Sequence, residues 1–319
     1  MDINVLLVNA TFGRLASGSG QHVYMLWKNL RDKVNFELWD DKTIGYIDVP
    51  KLRSITFLLR AKARKIPKNI DIIHLHNPKF VPLFAEGKKN VLTIHGDYEE
   101  FKLQYGLLAK PITYYIDRKL RMADAITNVS PYWSKLRGWT WIPNMVELSE
   151  VEKVPPSGEE YLLFVGRDDP VKNYPLFRSI AEEAHKSLGL KSLALGTLRK
   201  DTEYLKHAKV PWEVVISHMK SAVALVITSK QEGLPTVLLE AWAGGCPVLA
   251  YDIPPMRYLN KMYGTPLIFS SLKEAIDMLS KLPEVREKLV RRGLEVVKDF
   301  DAPKVAGQYY ELYRRLVEG

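Results

Sequence analysis

Glu232 and Glu240 stand eight positions apart in the run Ser229-Lys230-Gln231-Glu232-Gly233-Leu234-Pro235-Thr236-Val237-Leu238-Leu239-Glu240-Ala241-Trp242-Ala243-Gly244-Gly245. The run reads as a strand end, a tight loop, a short helix with Pro235 in its first turn and a glycine stop. Glu240 falls in a helix that is otherwise apolar, an expensive place for a carboxylate without a partner. Glu232 falls in the loop before that helix, where unbonded N–H groups suit an anionic ligand. By themselves the two read more simply as a loop charge and a helix residue reaching for solvent.

The other chemistry-bearing residues shift that balance. Arg167 follows Gly166 at the end of an apolar strand pattern, and Lys172 comes five residues later at the start of a helix pattern. A guanidinium fork and a mobile ammonium at such a junction suit a pyrophosphate, although alone they read equally as surface charges. Gly18 and Gly20 belong to a small-residue loop (Gly13, Ala16, Ser17, Gly18, Ser19, Gly20) ahead of a helix pattern over 22–30. Glycine there lets backbone N–H groups approach a phosphate. The third glycine of a dinucleotide fingerprint is replaced by Val23, which argues against a nicotinamide site. His95 ends a strand pattern and precedes Gly96, the place where open α/β sheets bind ligands. His74 and His76 share a strand face, and without a third ligand in view they read as packing rather than metal-binding. Asp299-Phe300-Asp301 reads as a helix cap rather than a metal chelate. No metal site is expected.

Alternating strand and helix patterns must position these groups. Strands are expected at 4–9, 36–39, 71–76, 91–95 and 125–130, with a helix at 51–66. Val151–Gly158 has linker composition. The alternation then restarts: strands at 161–165, 191–196, 223–228, 248–251 and 267–269, helices at 174–188 and 212–222. The expected class is α/β, with two Rossmann-like domains facing across a cleft. The expected domains are 1–150 and 151–301, with a final helix, 302–319, packing back on the first.

At 319 residues, with 46% hydrophobic and 26% charged residues, each half has ample core. No apolar run is long enough to span a membrane. Met1-Asp2-Ile3-Asn4 runs directly into a strand pattern, unlike a secretory signal. The single cysteine, Cys246, excludes an internal disulfide framework and reads as a small core residue in a reducing compartment. The cytoplasm, extending to the inner membrane face, is the expected location. The net charge of +9 is concentrated in residues 1–150, with 22 Lys/Arg against 15 Asp/Glu. Lys51, Arg53, Arg60, Lys62, Arg64, Lys65 and Lys68 interleave with Leu52, Ile55, Phe57, Leu58 and Leu59, without an acid between. The pattern suits an anionic membrane surface or acceptor, and equally the solvated face of an ordinary helix. No nucleic-acid recognition motif accompanies it.

Together these residues resemble the retaining glycosyltransferases of the GT-B fold (family 4 type), a large family containing glycogen synthases, sucrose synthases and lipid-glycan mannosyltransferases. The resemblance spans nearly the whole chain and is carried by Glu232 and Glu240 as a Glu-x7-Glu signature, Gly166-Arg167 with Lys172, His95, Gly18 with Gly20, and Pro143-Asn144. It implies transfer of a sugar from a nucleotide-diphosphate sugar to a hydroxyl acceptor, glycan or lipid-linked, with retention and without metal or bound cofactor. It implies that Glu240 holds the ribose hydroxyls, that Glu232 with the backbone of Gly233 and Leu234 holds the donor sugar, and that Arg167 and Lys172 clamp the diphosphate, aided by Gly18 and Gly20. His95 would lie over the reacting sugar. A non-catalytic nucleotide-sugar-binding protein on the same fold is the alternative, and the intact set of site residues argues against it. Two departures stand out: Asn173 replaces the usual glycine after Lys172, and Ser19 interrupts the usual Gly-Gly pair.

Overall fold

The structure is a computed structural model that describes residues 2–14, 17–49, 52–96 and 106–319, without the side chain of Leu108. Met1, Ala16 and Lys51, named above, lie outside the described residues. The chain divides into two compact units, Met1–Met145 with Ala302–Gly319, and Val146–Asp301.

The first unit runs β1 (Ile3–Val8), α1 (Gly18–Leu30), β2 (Val34–Trp39), α2 (Arg53–Lys62), β3 (Ile72–Leu75), β4 (Lys89–Ile94), α3 (Ala109–Leu120), β5 (Ala125–Asn128), α4 (Pro131–Arg137) and β6 (Thr140–Trp141). The second runs α5 (Leu148–Lys153), β7 (Leu162–Val165), α6 (Tyr174–Leu188), β8 (Ser192–Leu195), β9 (Leu205–Ala208), α7 (Trp212–Ser221), β10 (Ala224–Ile227), α8 (Thr236–Ala243), β11 (Val248–Tyr251), α9 (Pro254–Tyr263), β12 (Leu267–Phe269) and α10 (Leu272–Val296). The last helix, α11 (Ala302–Glu318), belongs to the first unit.

Each unit is a six-stranded parallel sheet, ordered β2-β1-β3-β4-β5-β6 in the first and β12-β11-β10-β7-β8-β9 in the second. Such sheets are covered on both faces, so their strands are apolar throughout. In β1, Val5 and Leu7 pack with Val23, Leu26 and Leu30 of α1 and Val305 and Tyr309 of α11. Leu6 and Val8 point the other way, into a cluster with Phe57 of α2, Ile116 of α3, and Phe80 from the segment between β3 and β4. Each such side chain contributes about 1.5–3 kcal/mol by burial.

The strand orders are those of Rossmann-like domains. Counted within the second unit, the order from its β9 edge is 3-2-1-4-5-6, which reverses direction between β7 and β10. In the first unit the reversal falls between β1 and β3. The carboxyl ends of strands at such a point leave room for a ligand, and these ends carry most of the residues singled out above.

The expected linker at 151–158 is not one. Residues 148–153 form α5, Val151 and Val154 are buried, and Ser157 N and Gly158 N donate to Ser217 O and Ser221 Oγ in α7. Two apolar side chains and two backbone bonds dock the segment onto the second unit. Asp301, expected to cap the helix that follows it, accepts from Leu148 N (3.2 Å) at the head of α5. Pro235 is the N-cap residue of α8 rather than part of its first turn.

One glycine is demanded by close approach. Gly196, just after β8, has φ +89, and a Cβ there would lie 2.9 Å from Gly166 O. Gly189 also has positive φ (+69) but faces open space. Gly189→Ala is expected to cost about 1 kcal/mol and Gly196→Ala clearly more, about 2–4 kcal/mol, because it adds a backbone clash to the strained φ. Thermal unfolding of the two variants side by side tests this; equal losses would refute it.

Candidate functional site

The carboxyl ends of β7 and β10 build the site of the second unit. Beyond β7, Gly166 N donates to Leu195 O (2.9 Å) and Gly166 O accepts from Thr197 Oγ1 (2.8 Å). Asp169 organises the following turn, its Oδ1 accepting from Lys172 N (3.0 Å) while Oδ2 pairs with Arg167 Nη2 (3.2 Å). The Arg167 side chain remains 73% exposed. Asn173 then adopts φ 51 and ψ 46, the left-handed conformation, before α6 begins at Tyr174. Asparagine tolerates that conformation better than most residues, which explains how it stands where the resembled family has glycine.

Beyond β10, Thr228 Oγ1 donates to Lys172 O and Lys230 N to Val171 O, both at 2.8 Å. These bonds seat the Glu232 loop against the Lys172 loop. Lys172 Nζ reaches Glu232 Oε1 at 2.6 Å, with the two side chains 24% and 11% exposed. Two residues with separate expected roles therefore form one ion pair. Gly233 and Leu234 follow, both buried, and lead into α8. Glu240 is 4% exposed within α8, and its Oε1 accepts from the indole Nε1 of Trp212 at 2.8 Å. Trp212 went unnoticed in the sequence, because nothing local marks an indole 28 positions away as a carboxylate partner.

A second network braces the Arg167–Lys172 turn. Tyr174 OH meets His207 Nε2 at 2.6 Å, and His207 Nδ1 meets Asp201 Oδ1 at 3.1 Å. Arg199 lies over the Tyr174 ring and donates Nε to Asp168 Oδ2 (2.7 Å). Burial pushes the Tyr174 hydroxyl pKa upward, against the opposing pull of Arg178 and Arg199, so the phenol stays protonated and able to donate. Cys246 is buried, its thiol pushed up to about 12 by desolvation, and behaves as the core residue expected.

In the first unit, four of the seven histidines of the chain converge. His22 comes from α1, His74 and His76 from β3 and its end, and His95 from the end of β4. His95 Nε2 lies 3.4 Å from His76 Nδ1, and the His22 ring meets the His95 ring edge-on at 5.0 Å. His74 is held at both nitrogens, by Tyr313 OH (2.6 Å) and Thr93 Oγ1 (2.7 Å), and lies 4.1 Å from the His76 ring. Asn144, beside Pro143, places Oδ1 2.9 Å from His22 Nδ1. An amide oxygen only accepts, so His22 carries its proton on Nδ1. Desolvation lowers His22 to about 4, and burial together with neighbouring histidines holds His74, His76 and His95 well below the ordinary range. All four are neutral near pH 7. Among the described residues no three His, Cys, Asp or Glu side chains are grouped to hold a metal ion.

Gly18 and Gly20 sit in the first turn of α1, not in an open loop. Ser17 is the N-cap, and its Oγ accepts from Gly20 N at 3.3 Å. Ser19 joins Ser17 (3.1 Å) and Asn9 (3.4 Å) in a hydroxyl network that steadies the turn.

The chain is similar to known proteins in sequence and in fold. Residues 146–296 match the family model for glycosyl transferases group 1, and residues 16–136 match that for glycosyltransferase family 4. The fold is that of sucrose-phosphate synthase from Thermosynechococcus elongatus, with a TM-score of 0.78 at 17% identity over 99% of both chains. Its fold and its sequence domains are those of a GT-B glycosyltransferase. HepE from Anabaena, solved with UDP-glucose, is also similar, with a TM-score of 0.74 at 13% identity over 98% of this chain and 100% of that one. In sequence, the chain is 25% identical over 250 residues to the capsular polysaccharide biosynthesis glycosyltransferase CapH of Staphylococcus aureus, 69% of this chain and 70% of that protein. It is 32% identical over 92 residues to a glycosyltransferase 1 domain-containing protein of Xenopus tropicalis, covering 28% of this chain and 27% of that protein.

The histidine cluster of this GT-B chain makes it acid-sensitive. His22 titrates near 6.5 when unfolded but about 4 when folded, so the unfolded state binds the extra proton between those values. Stability is therefore full above about pH 6.5 and falls as pH drops toward 4, by up to about 1.4 kcal/mol per pH unit for this group alone. His74, His76 and His95 shift in the same direction and steepen the loss. Urea midpoints should fall from pH 7.5 to pH 5 and fall less in His22→Gln; a midpoint that rises on acidification would contradict the neutral cluster.

Proposed function

We propose that this protein transfers a sugar from a nucleotide-diphosphate sugar to a hydroxyl acceptor, with retention and without a metal. The observation that carries the reading is the meeting of Lys172 and Glu232 at 2.6 Å where the strand order reverses, with Arg167 exposed beside them. Cations belong on phosphate oxygens and carboxylates on sugar or ribose hydroxyls. Arg167 and Lys172 stabilise the negative charge that grows on the departing diphosphate. Two positive side chains supply the charge that a divalent ion would otherwise bring. Glu232, with the N–H groups of Gly233 and Leu234, orients the sugar, and Glu240 holds the ribose.

On this reading the anomeric carbon–oxygen bond to the diphosphate breaks as the acceptor oxygen bonds to the same face, and a phosphate oxygen takes the acceptor's proton. His95, kept neutral and oriented by His76 and His22, serves the acceptor side as a hydrogen-bonding group. On the same reading no tightly bound cofactor takes part.

The surface of α2 suggests where the acceptor resides. Phe57 and Ala61 face the core, whereas Leu52, Ile55 and Leu59 are exposed beside Arg53, Arg60 and Lys62. Among the described residues no helix is long and apolar enough to cross a membrane. An exposed aliphatic row flanked by cations suits docking on an anionic bilayer carrying a lipid-linked acceptor.

Screening nucleotide sugars for diphosphate release, with and without lipid acceptors, tests the activity. Glu240→Ala is expected to weaken donor binding about tenfold or more, whereas His95→Ala lowers kcat about 100-fold and leaves nucleotide affinity within about threefold. Unchanged turnover in both variants would sink the assignment. In flotation assays, binding to vesicles of phosphatidylcholine with phosphatidylglycerol should weaken about fivefold for each of Arg60→Gln and Lys62→Gln. Indifference to the anionic lipid would count against docking.

A further inference from the structure

Glu240 is a carboxylate in an apolar helix, and the structure gives it an indole. Trp212, the first residue of α7, donates its Nε1–H to Glu240 Oε1 at 2.8 Å. Trp212 is 6% exposed and Glu240 4%, so the bond is made away from water. The last torsion of a glutamate is broad and roughly two-fold, which leaves a carboxylate plane undefined unless something fixes it. A bond to one oxygen from a buried ring restrains it. Tryptophan only donates, so this contact holds Glu240 as an acceptor. A carboxylate has about four acceptor sites, more than an indole by itself can fill.

We propose that Trp212 is a positioning residue that sets the carboxylate plane of Glu240 for the adjacent 2′- and 3′-hydroxyls of a nucleotide ribose, and so sets the preference for ribonucleotides over 2′-deoxyribonucleotides. The inference rests on the reading of Glu240 as the ribose ligand. Two hydroxyls in fixed relation require an acceptor pair in fixed relation, whereas a single hydroxyl can follow a turning carboxylate. A site built to bond a hydroxyl rejects the analogue that lacks it, because its own polar group is then left unpaired.

Calorimetric titration of the full chain with UDP against 2′-deoxy-UDP, ADP against 2′-deoxy-ADP, and GDP against 2′-deoxy-GDP tests this. The wild type is expected to bind one ribonucleotide about tenfold or more tighter than its deoxy partner. In Trp212→Phe the affinity for that ribonucleotide should fall about tenfold and that for its deoxy partner by less than about twofold, so that the ratio collapses. A variant that weakens both members equally makes Trp212 merely structural and overturns the proposal. Glu240→Gln separates the two levels. If Glu240→Gln preserves the wild-type ratio, the ribose assignment itself fails. If it collapses the ratio and Trp212→Phe does not, only the role of Trp212 fails. A wild type that binds both members of every pair alike, or binds none, overturns both. Should Trp212→Phe not fold, the ¹⁵N-indole spectrum of the wild type decides: the resonance that shifts in Glu240→Gln should move on adding the ribonucleotide and move less with its deoxy partner. An indole resonance indifferent to both overturns the proposal.

Discussion

The ion pair between Lys172 and Glu232 is the contact on which the second unit's site depends. Parallel strands send their chains away from one another at the carboxyl end, so the loops after β7 and β10 meet only if something joins them. Thr228 Oγ1 and Lys230 N do so first, by bonding to the carbonyls of Lys172 and Val171. The ammonium and carboxylate then meet in a partly buried place, where removing either would leave the other uncompensated.

The first unit solves a different problem with the same architecture. Its strand ends gather histidines rather than opposite charges, and burial keeps those rings neutral. Among the described residues no carboxylate bonds its ring nitrogens. Its order comes from Tyr313, Thr93 and Asn144, each bonding a ring nitrogen, and from ring packing. Tyr309 and Tyr313 arrive from α11, so the end of the chain helps to position a residue near its beginning.

Both departures from the family pattern have a local physical answer. Asn173 occupies the left-handed region that glycine usually fills, at a cost asparagine bears better than a branched side chain would. Ser19 stands in the first turn of α1, where its hydroxyl joins the Ser17 cap rather than blocking the backbone. Neither substitution disturbs the element that carries it.

Much of this was legible in one dimension. Apolar runs of four to six residues between glycine and polar loops identified most of the strands, because a strand buried on both faces has no alternative composition. The site residues were legible as types at spacings: Glu232 and Glu240 around a helix start, Arg167 and Lys172 across a turn. The two-residue β6 was missed for its brevity, and β9 because Lys206 and His207 break its apolar run. The pairings were not legible at all. Lys172 with Glu232, Trp212 with Glu240 and His22 with Asn144 join positions 60, 28 and 122 residues apart. Local chemistry determined which side chains needed a partner. Only the order of strands in each sheet, set by how helices cover both faces, decided which partner each one met.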